Sequence, residues 1–266
     1  MAYDDLGKGP AVILIHGFPL NRKMWAPQMS SLAENGFRVI APDLRGFGES
    51  AAGEEPFDIR TFADDVVRLM NHLGIGRAVM VGMSMGGEVV LDLLKRYPRK
   101  VVATSILSPA MPPATAEEQI RYLNFAELVR EGHHQTALDG LCQWIFAGQQ
   151  TAEKLAIVKT VRELMESVDL NTLARGMAFC ARKKEWVARS EHAEIPTLVL
   201  SGALDQLSPP KRNEILAKLL PKGRLKILSG AGHMLNLEAA RDLNQYLLNF
   251  LEELCKCKPR HLQLAG

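Results

Sequence analysis

Ser84 lies in the run Gly82-Met83-Ser84-Met85-Gly86-Gly87, a serine with glycine two residues to either side. A hydroxyl presented on a sharp turn between a strand and a helix can attack an electrophilic carbon, and such a turn leaves no room for side chains two residues before or after it. Gly82 and Gly86 meet that need. With 21 Gly and 11 Ser in 266 residues, ~0.07 matches to G-x-S-x-G are expected by chance, so the motif is specific enough to direct a search for partners. A serine hydroxyl is a weak nucleophile near neutral pH and needs a base, nearly always histidine, oriented by a carboxylate.

Seven histidines are available. His16 precedes the serine and ends an apolar run, His72 falls on a helical pattern, His133 and His134 lie in a central helical region with His192 at its exit, and His261 is in the tail. His233 is different: it sits in Gly230-Ala231-Gly232-His233, directly after the strand-like run Arg224 to Leu228. Asp205 holds the same kind of place, in Ser201-Gly202-Ala203-Leu204-Asp205 after Thr197 to Leu200. The other place for an acid, after Val101 to Leu107, reads Ser108-Pro109-Ala110-Met111 and offers no carboxylate. Alone, Asp205 could cap its own loop and His233 a helix, but their joint position at successive strand ends favours a Ser84, His233, Asp205 triad. Acyl transfer also needs donors for the developing oxyanion. Met85 would supply its backbone N–H at a helix start, and the turn His16-Gly17-Phe18-Pro19 would supply that of Phe18, unless it is simply a structural turn before Pro19. Asp43 to Ser50 carries charged residues, but its glycines suit a shaped loop.

The elements that must position these residues follow one grammar. Short apolar, β-branched runs at Val12 to Ile15, Arg38 to Ala41, Ala78 to Val81, Val101 to Leu107, Thr197 to Leu200 and Arg224 to Leu228 read as buried strands. Helical patterns lie between them, as in Ile59 to Leu73, where Phe62, Val66, Leu69 and Met70 recur at helical spacing before Gly74. This alternation predicts an α/β fold, a mostly parallel, doubly wound sheet covered on both faces. It is interrupted over 112–192, which carries helical patterns, no convincing strand, and enough apolar surface to pack as a cap. Residues 1–111 and 193–266 would then form the core domain, with a last helix over about Leu235 to Leu254. Within the cap, the Gly140 to Gly148 stretch crowds Leu141, Trp144, Ile145 and Phe146 together, so Trp144 or Phe146 is a candidate pocket wall, the alternative being that both are cap core.

Composition narrows the class. Hydrophobic residues are 47% and charged residues 23%, values of an ordinary globular chain, and the net charge of +2 gives no field to draw in nucleic acid or an anionic membrane face. No apolar run is long enough to span a bilayer, and the first residues are acidic where a secretory signal would be basic, so a cytoplasmic protein is the expectation. Cys142, Cys180, Cys255 and Cys257 form no CxxC pair and read as reduced thiols. Cys255 and Cys257 with His261 match no common zinc spacing, and no metal or organic cofactor is expected.

The motifs together resemble those of the α/β-hydrolase superfamily, and within it the cofactor-free esterase, enol-lactonase and haloperoxidase-like group. The resemblance rests on His16-Gly17-Phe18-Pro19-Leu20 with Met24-Trp25 and Gln28, on Leu44-Arg45-Gly46-Phe47-Gly48-Glu49-Ser50, and on Gly82 to Gly87, and the order Ser84, Asp205, His233 is that of the superfamily's triad. It spans Ala2 to about Leu254, leaving out the cap. It implies a serine hydrolase acting on a small-molecule carboxylic ester or lactone. The same triad would also serve a carbon–carbon bond hydrolase or a perhydrolase, and a ligand-binding signalling module is the alternative of another class. A serine at the elbow, rather than aspartate, argues against haloalkane or epoxide chemistry. With so few residues ahead of Val12, the family's first antiparallel hairpin is expected to be shortened or missing.

Overall fold

In the computed structural model the described residues are 1–53, 57–109, 115–146, 151–182 and 194–256. They contain seven strands, β1 (Tyr3–Leu6), β2 (Ala11–Ile15), β3 (Arg38–Pro42), β4 (Ala78–Met83), β5 (Val101–Leu107), β6 (Thr197–Gly202) and β7 (Gly223–Leu228), in one sheet of order β1-β3-β2-β4-β5-β6-β7. All neighbours are parallel except β1 and β3. The order reverses between β2 and β4, and at such a switch point the loops leaving the carboxyl ends of the strands diverge and open a crevice.

The described helices are α1 (Ala26–Glu34), α2 (Ile59–His72), α3 (Met85–Arg96), α4 (Ala116–Arg130), α5 (His134–Ile145), α6 (Ala152–Glu166), α7 (Leu170–Ala181), α8 (Pro210–Leu219), α9 (Leu235–Glu238) and α10 (Ala240–Lys256). Local chemistry explains where they begin and end. Asp58 starts α2 by accepting from the Thr61 N–H at 2.8 Å, Phe62, Val66, Leu69 and Met70 turn inward, and Gly74 leaves the helix with φ +68°. Each inward side chain removed from water contributes roughly 1.5–3 kcal/mol. β2 and β4 are buried along almost their whole length, as strands covered on both faces must be.

One feature meets the sequence reading and two depart from it. The amino-terminal hairpin is reduced to one strand, β1, which pairs antiparallel with β3; its Asp5 is bridged to Arg38 at 2.7 Å, so charge rather than apolar alternation marks this edge. β4 and β6 run two residues past the expected ends, which carries the ladder up to the loops that hold Ser84 and Asp205. The expected helix Leu235 to Leu254 is two helices, broken at Ala239 with φ −135°, and the second extends to Lys256. Between Thr115 and Arg182 the described residues are helical with no strand, and α4 packs on α5 and α7 as a layer of its own. The boundaries at 112 and 192 lie outside the described residues, as do His192, Cys257 and His261.

Candidate active site

Ser84 follows β4 with φ +52° and ψ −117°, a conformation that L residues rarely adopt, and α3 begins at the next residue. Neighbours enforce the turn. A Cβ on Gly82 would collide with the Gly86 carbonyl, and one on Gly86 with the Ile15 carbonyl at the end of β2, so both positions admit only glycine. The Ser84 N–H is tied to the Leu107 carbonyl at 2.9 Å, extending the ladder to β5. The strain at Ser84 is thus held by the sheet on one side and the elbow glycines on the other.

The candidate acid and base, Asp205 and His233, follow β6 and β7. Asp205 Oδ1 accepts the N–H groups of Leu207 and Ser208 at 2.9 and 2.8 Å, which orients Oδ2 towards His233 Nδ1, 2.9 Å away. Both side chains are buried. Because a carboxylate accepts, Nδ1 carries a proton, and in the neutral ring Nε2 keeps its lone pair. Burial works against the charge on Asp205, but the facing His233 and the Ser208 N–H outweigh it and hold the carboxyl below its usual range. The two loops also touch directly, since a Cβ on Gly202 would strike the Gly232 carbonyl.

The third part is the turn after β2. Gly17 is packed so closely on the elbow that a Cβ there would sit 3.2 Å from both the Met83 carbonyl oxygen and Ser84 Cβ, and this brings Phe18 beside the serine. Met85 is the first residue of α3, so its N–H has no acceptor within the helix. The Phe18 ring lies edge-on to Phe47 at 6.0 Å and against Gly176 of α7, between core and cap.

His16 is a residue whose role the motif alone does not disclose. It is fully buried, its Nδ1 donates to the Gly17 carbonyl at 2.9 Å, and its Nε2 accepts the Leu44 N–H at 2.9 Å. The imidazole therefore pins the turn carrying Phe18 to the loop after β3. Burial depresses its pKa to about 4, against the opposing pull of the Gly17 carbonyl and the Asp43 charge. Asp43 itself is bound to the Arg22 guanidinium and accepts the N–H groups of Arg22 and Glu49 at 2.7 and 2.9 Å, so the 43–50 loop is shaped by a buried ion pair as well as by glycines.

Trp144 is nearly buried within the cap, tilted against Tyr122 with centroids 5.1 Å apart and beneath the Arg121 guanidinium at 4.6 Å. Phe146, at the end of α5, is also buried. A cleft of about 1070 Å³ opens between α6 and the loops after β6 and β7, with Lys154, Ile157, Leu204, Asp205 and Glu238 in its walls; among the described residues Ser84, His233, Trp144 and Phe146 do not line it. Glu238 and Lys154 escaped the sequence reading because nothing marks them locally. Among the described residues there is no cluster of three or more His, Cys, Asp or Glu arranged for a metal ion, and no helix is long and apolar enough to cross a membrane.

A family model described as alpha/beta hydrolase fold matches residues 10–240. Among curated relatives, a non-heme haloperoxidase from Rhodococcus erythropolis is 27% identical over 94% of this chain and 95% of its own. Among solved structures, a thermophilic esterase from Thermogutta terrifontis superposes with a TM-score of 0.87 at 30% identity, covering 95% of this chain and 93% of its own. The enol-lactonase from Burkholderia xenovorans LB400 gives 0.85 at 25% identity, covering 94% and 96%.

Proposed function

From a chain that belongs to the alpha/beta hydrolase fold family, we infer a serine hydrolase that cleaves a small carboxylic ester or lactone through an acyl-enzyme on Ser84. The observation that carries this reading is the buried 2.9 Å hydrogen bond between Asp205 and His233 at the same sheet edge as the strained Ser84. In this mechanism Ser84 Oγ attacks the carbonyl carbon and passes its proton to His233 Nε2. Asp205 keeps the imidazole in the tautomer able to accept it and stabilises the imidazolium that results. The carbonyl electrons collect on oxygen, facing the N–H groups of Phe18 and Met85, and collapse to expel the alkoxide, which takes the proton from His233. Water, deprotonated by the same imidazole, then releases the acid and restores Ser84. No step calls on a metal or an organic cofactor.

The esterase and the enol-lactonase among the similar structures support the ester and lactone classes. The similarity to a haloperoxidase favours a second reading in which hydrogen peroxide replaces water in deacylation and the product is a peracid. Purified protein should hydrolyse short acyl esters or lactones over many turnovers, and an organophosphonate should label Ser84 in proportion to lost activity. A label on another residue would reject the mechanism. Peracid formed in preference to acid at millimolar peroxide would choose the second reading.

A further inference from the structure

Glu238, the last residue of α9, is a nearly buried carboxylate whose partners surround a single residue. Its Oε2 accepts the Gly232 N–H at 3.1 Å and its Oε1 the Met234 N–H at 3.0 Å, the amides of the two residues on either side of His233. These bonds fix the 233–234 peptide plane on one side of His233 and the 231–232 plane one residue upstream on the other, so the chain carrying the imidazole is clamped on both sides. The imidazole is then held from two ends, by Asp205 through Nδ1 and by Glu238 through the backbone. A third donor reaches the carboxylate from the cap: Lys154 Nζ, in the first turn of α6 and 11% exposed, lies 3.3 Å from Oε2. A carboxylate at this depth is costly unless its lone pairs are met by donors, and these three meet them.

We propose that Glu238 is a positioning residue for His233 and that Lys154, acting through Glu238, makes this positioning depend on the seated cap. The proposal rests on the reading of His233 as the base. Glutamine at 238 keeps the shape but has one acceptor oxygen for two amides, so one amide loses its partner and the base loop gains freedom. Misplacement of a reacting group by ~1 Å can cost on the order of 100-fold in rate.

The test measures kcat and KM on a p-nitrophenyl ester, the melting temperature, and the downfield imidazole Nδ1–H proton resonance of the His233–Asp205 pair, assigned by its loss in His233→Asn. Glu238→Gln is expected to lower kcat about tenfold or more with KM within about twofold, and to shift or broaden that resonance. Lys154→Met should lower kcat about threefold, and the double variant should be no slower than Glu238→Gln alone, because the lysine acts through the glutamate. A folded Glu238→Gln with wild-type kcat and an unmoved resonance would overturn the positioning role. Multiplicative losses in the double variant would overturn the dependence on Lys154. If Glu238→Gln does not fold, Lys154→Met decides: reduced kcat at unchanged KM supports the proposal and wild-type kcat rejects it. Wild-type activity in His233→Ala would instead overturn the base assignment, an outcome distinct from all of these.

Discussion

Acid should destabilise this protein through His16 before its carboxylates are protonated. The folded site uses both ring nitrogens of a neutral imidazole, Nδ1 as donor to the Gly17 carbonyl and Nε2 as acceptor of the Leu44 N–H. A proton added at Nε2 would set two donors against each other in a fully buried space. In the unfolded chain a histidine titrates near pH 6.5, whereas burial holds folded His16 at about 4. Because the folded value is the lower one, the contribution to stability is intact above about pH 6.5 and is lost as pH falls towards 4. Between pH 7 and pH 4.5 the unfolded state gains nearly one proton over about two units, a loss of roughly 2–3 kcal/mol from this site. With a urea m-value of roughly 3 kcal/mol/M, the midpoint should fall by about 0.8 M from this cause.

The assay is urea unfolding followed by far-ultraviolet circular dichroism, at closely spaced pH values, for the wild type and for His16→Gln. Glutamine can offer an acceptor towards Leu44 but does not titrate, so the variant begins less stable and lacks this one linkage. Subtracting the two curves cancels the carboxylates they share. A difference that closes by roughly 2–3 kcal/mol between pH 7 and 4.5 is the expected outcome. Parallel curves would refute the reasoning, because they would mean that His16 accepts a proton in the folded protein as readily as in the unfolded one.

Other outcomes follow from the same geometry. Ser84→Ala should lose at least about 10³-fold in kcat/KM without losing the fold, since binding and the oxyanion donors alone leave little catalysis; retained turnover, read with a circular dichroism spectrum, would reject Ser84 as nucleophile. Asp205→Asn should lower kcat by about 10³ to 10⁴-fold, and, because the folded Asp205 pKa is depressed, stability that the wild type keeps above about pH 4 and loses in stronger acid should no longer show that loss in the variant's acid titration. Gly202→Ala should reduce both activity and melting temperature, because the new methyl meets the Gly232 carbonyl. Trp144→Ala separates pocket from structure: a 10 to 200-fold change in relative kcat/KM across acyl sizes indicates a substrate contact, while a loss of roughly 3–5 kcal/mol with an unchanged profile indicates cap core.

Much of this was legible because the informative residues mark a backbone need. Gly82, Gly86 and Gly202 stand where a Cβ would strike a carbonyl, and such positions betray a turn without any knowledge of what lies across from it. The runs that became β2 and β4 were readable because a strand buried on both faces must be apolar throughout. β1 was not, because Tyr-Asp-Asp-Leu has no pattern of its own and is a strand only by pairing with β3. The break at Ala239 was hidden for a similar reason. Helical spacing runs through it, and it coincides with Glu238 turning its carboxylate back to residues 232 and 234. His16 was visible as a motif letter, but its function depends on the Leu44 amide, a contact across 28 residues that no local reading supplies.

Glu118 of the cap bridges Arg212 at 3.2 Å, just beyond the acid loop, and Lys154 of the cap bridges Glu238 at 3.3 Å, against the base loop. Arg212, with its side chain 25% exposed, and Lys154, at 11%, lie where screening by water is incomplete, so each pair holds geometry even if it adds little net stability. The sequence reading kept these apart, with the chemistry at the sheet edge and a candidate pocket wall in the cap. The ion pairs argue against so clean a division. An insertion that is tied to both the acid loop and the base loop cannot be exchanged without changing how those loops are held. Replacing the cap with that of a relative should therefore lower kcat on every substrate along with altering preference, and restoring lysine and glutamate at the equivalents of 154 and 118 should recover kcat while leaving the new preference in place. A cap exchange that changes preference alone, at undiminished kcat, would show that the triad is held by the core by itself.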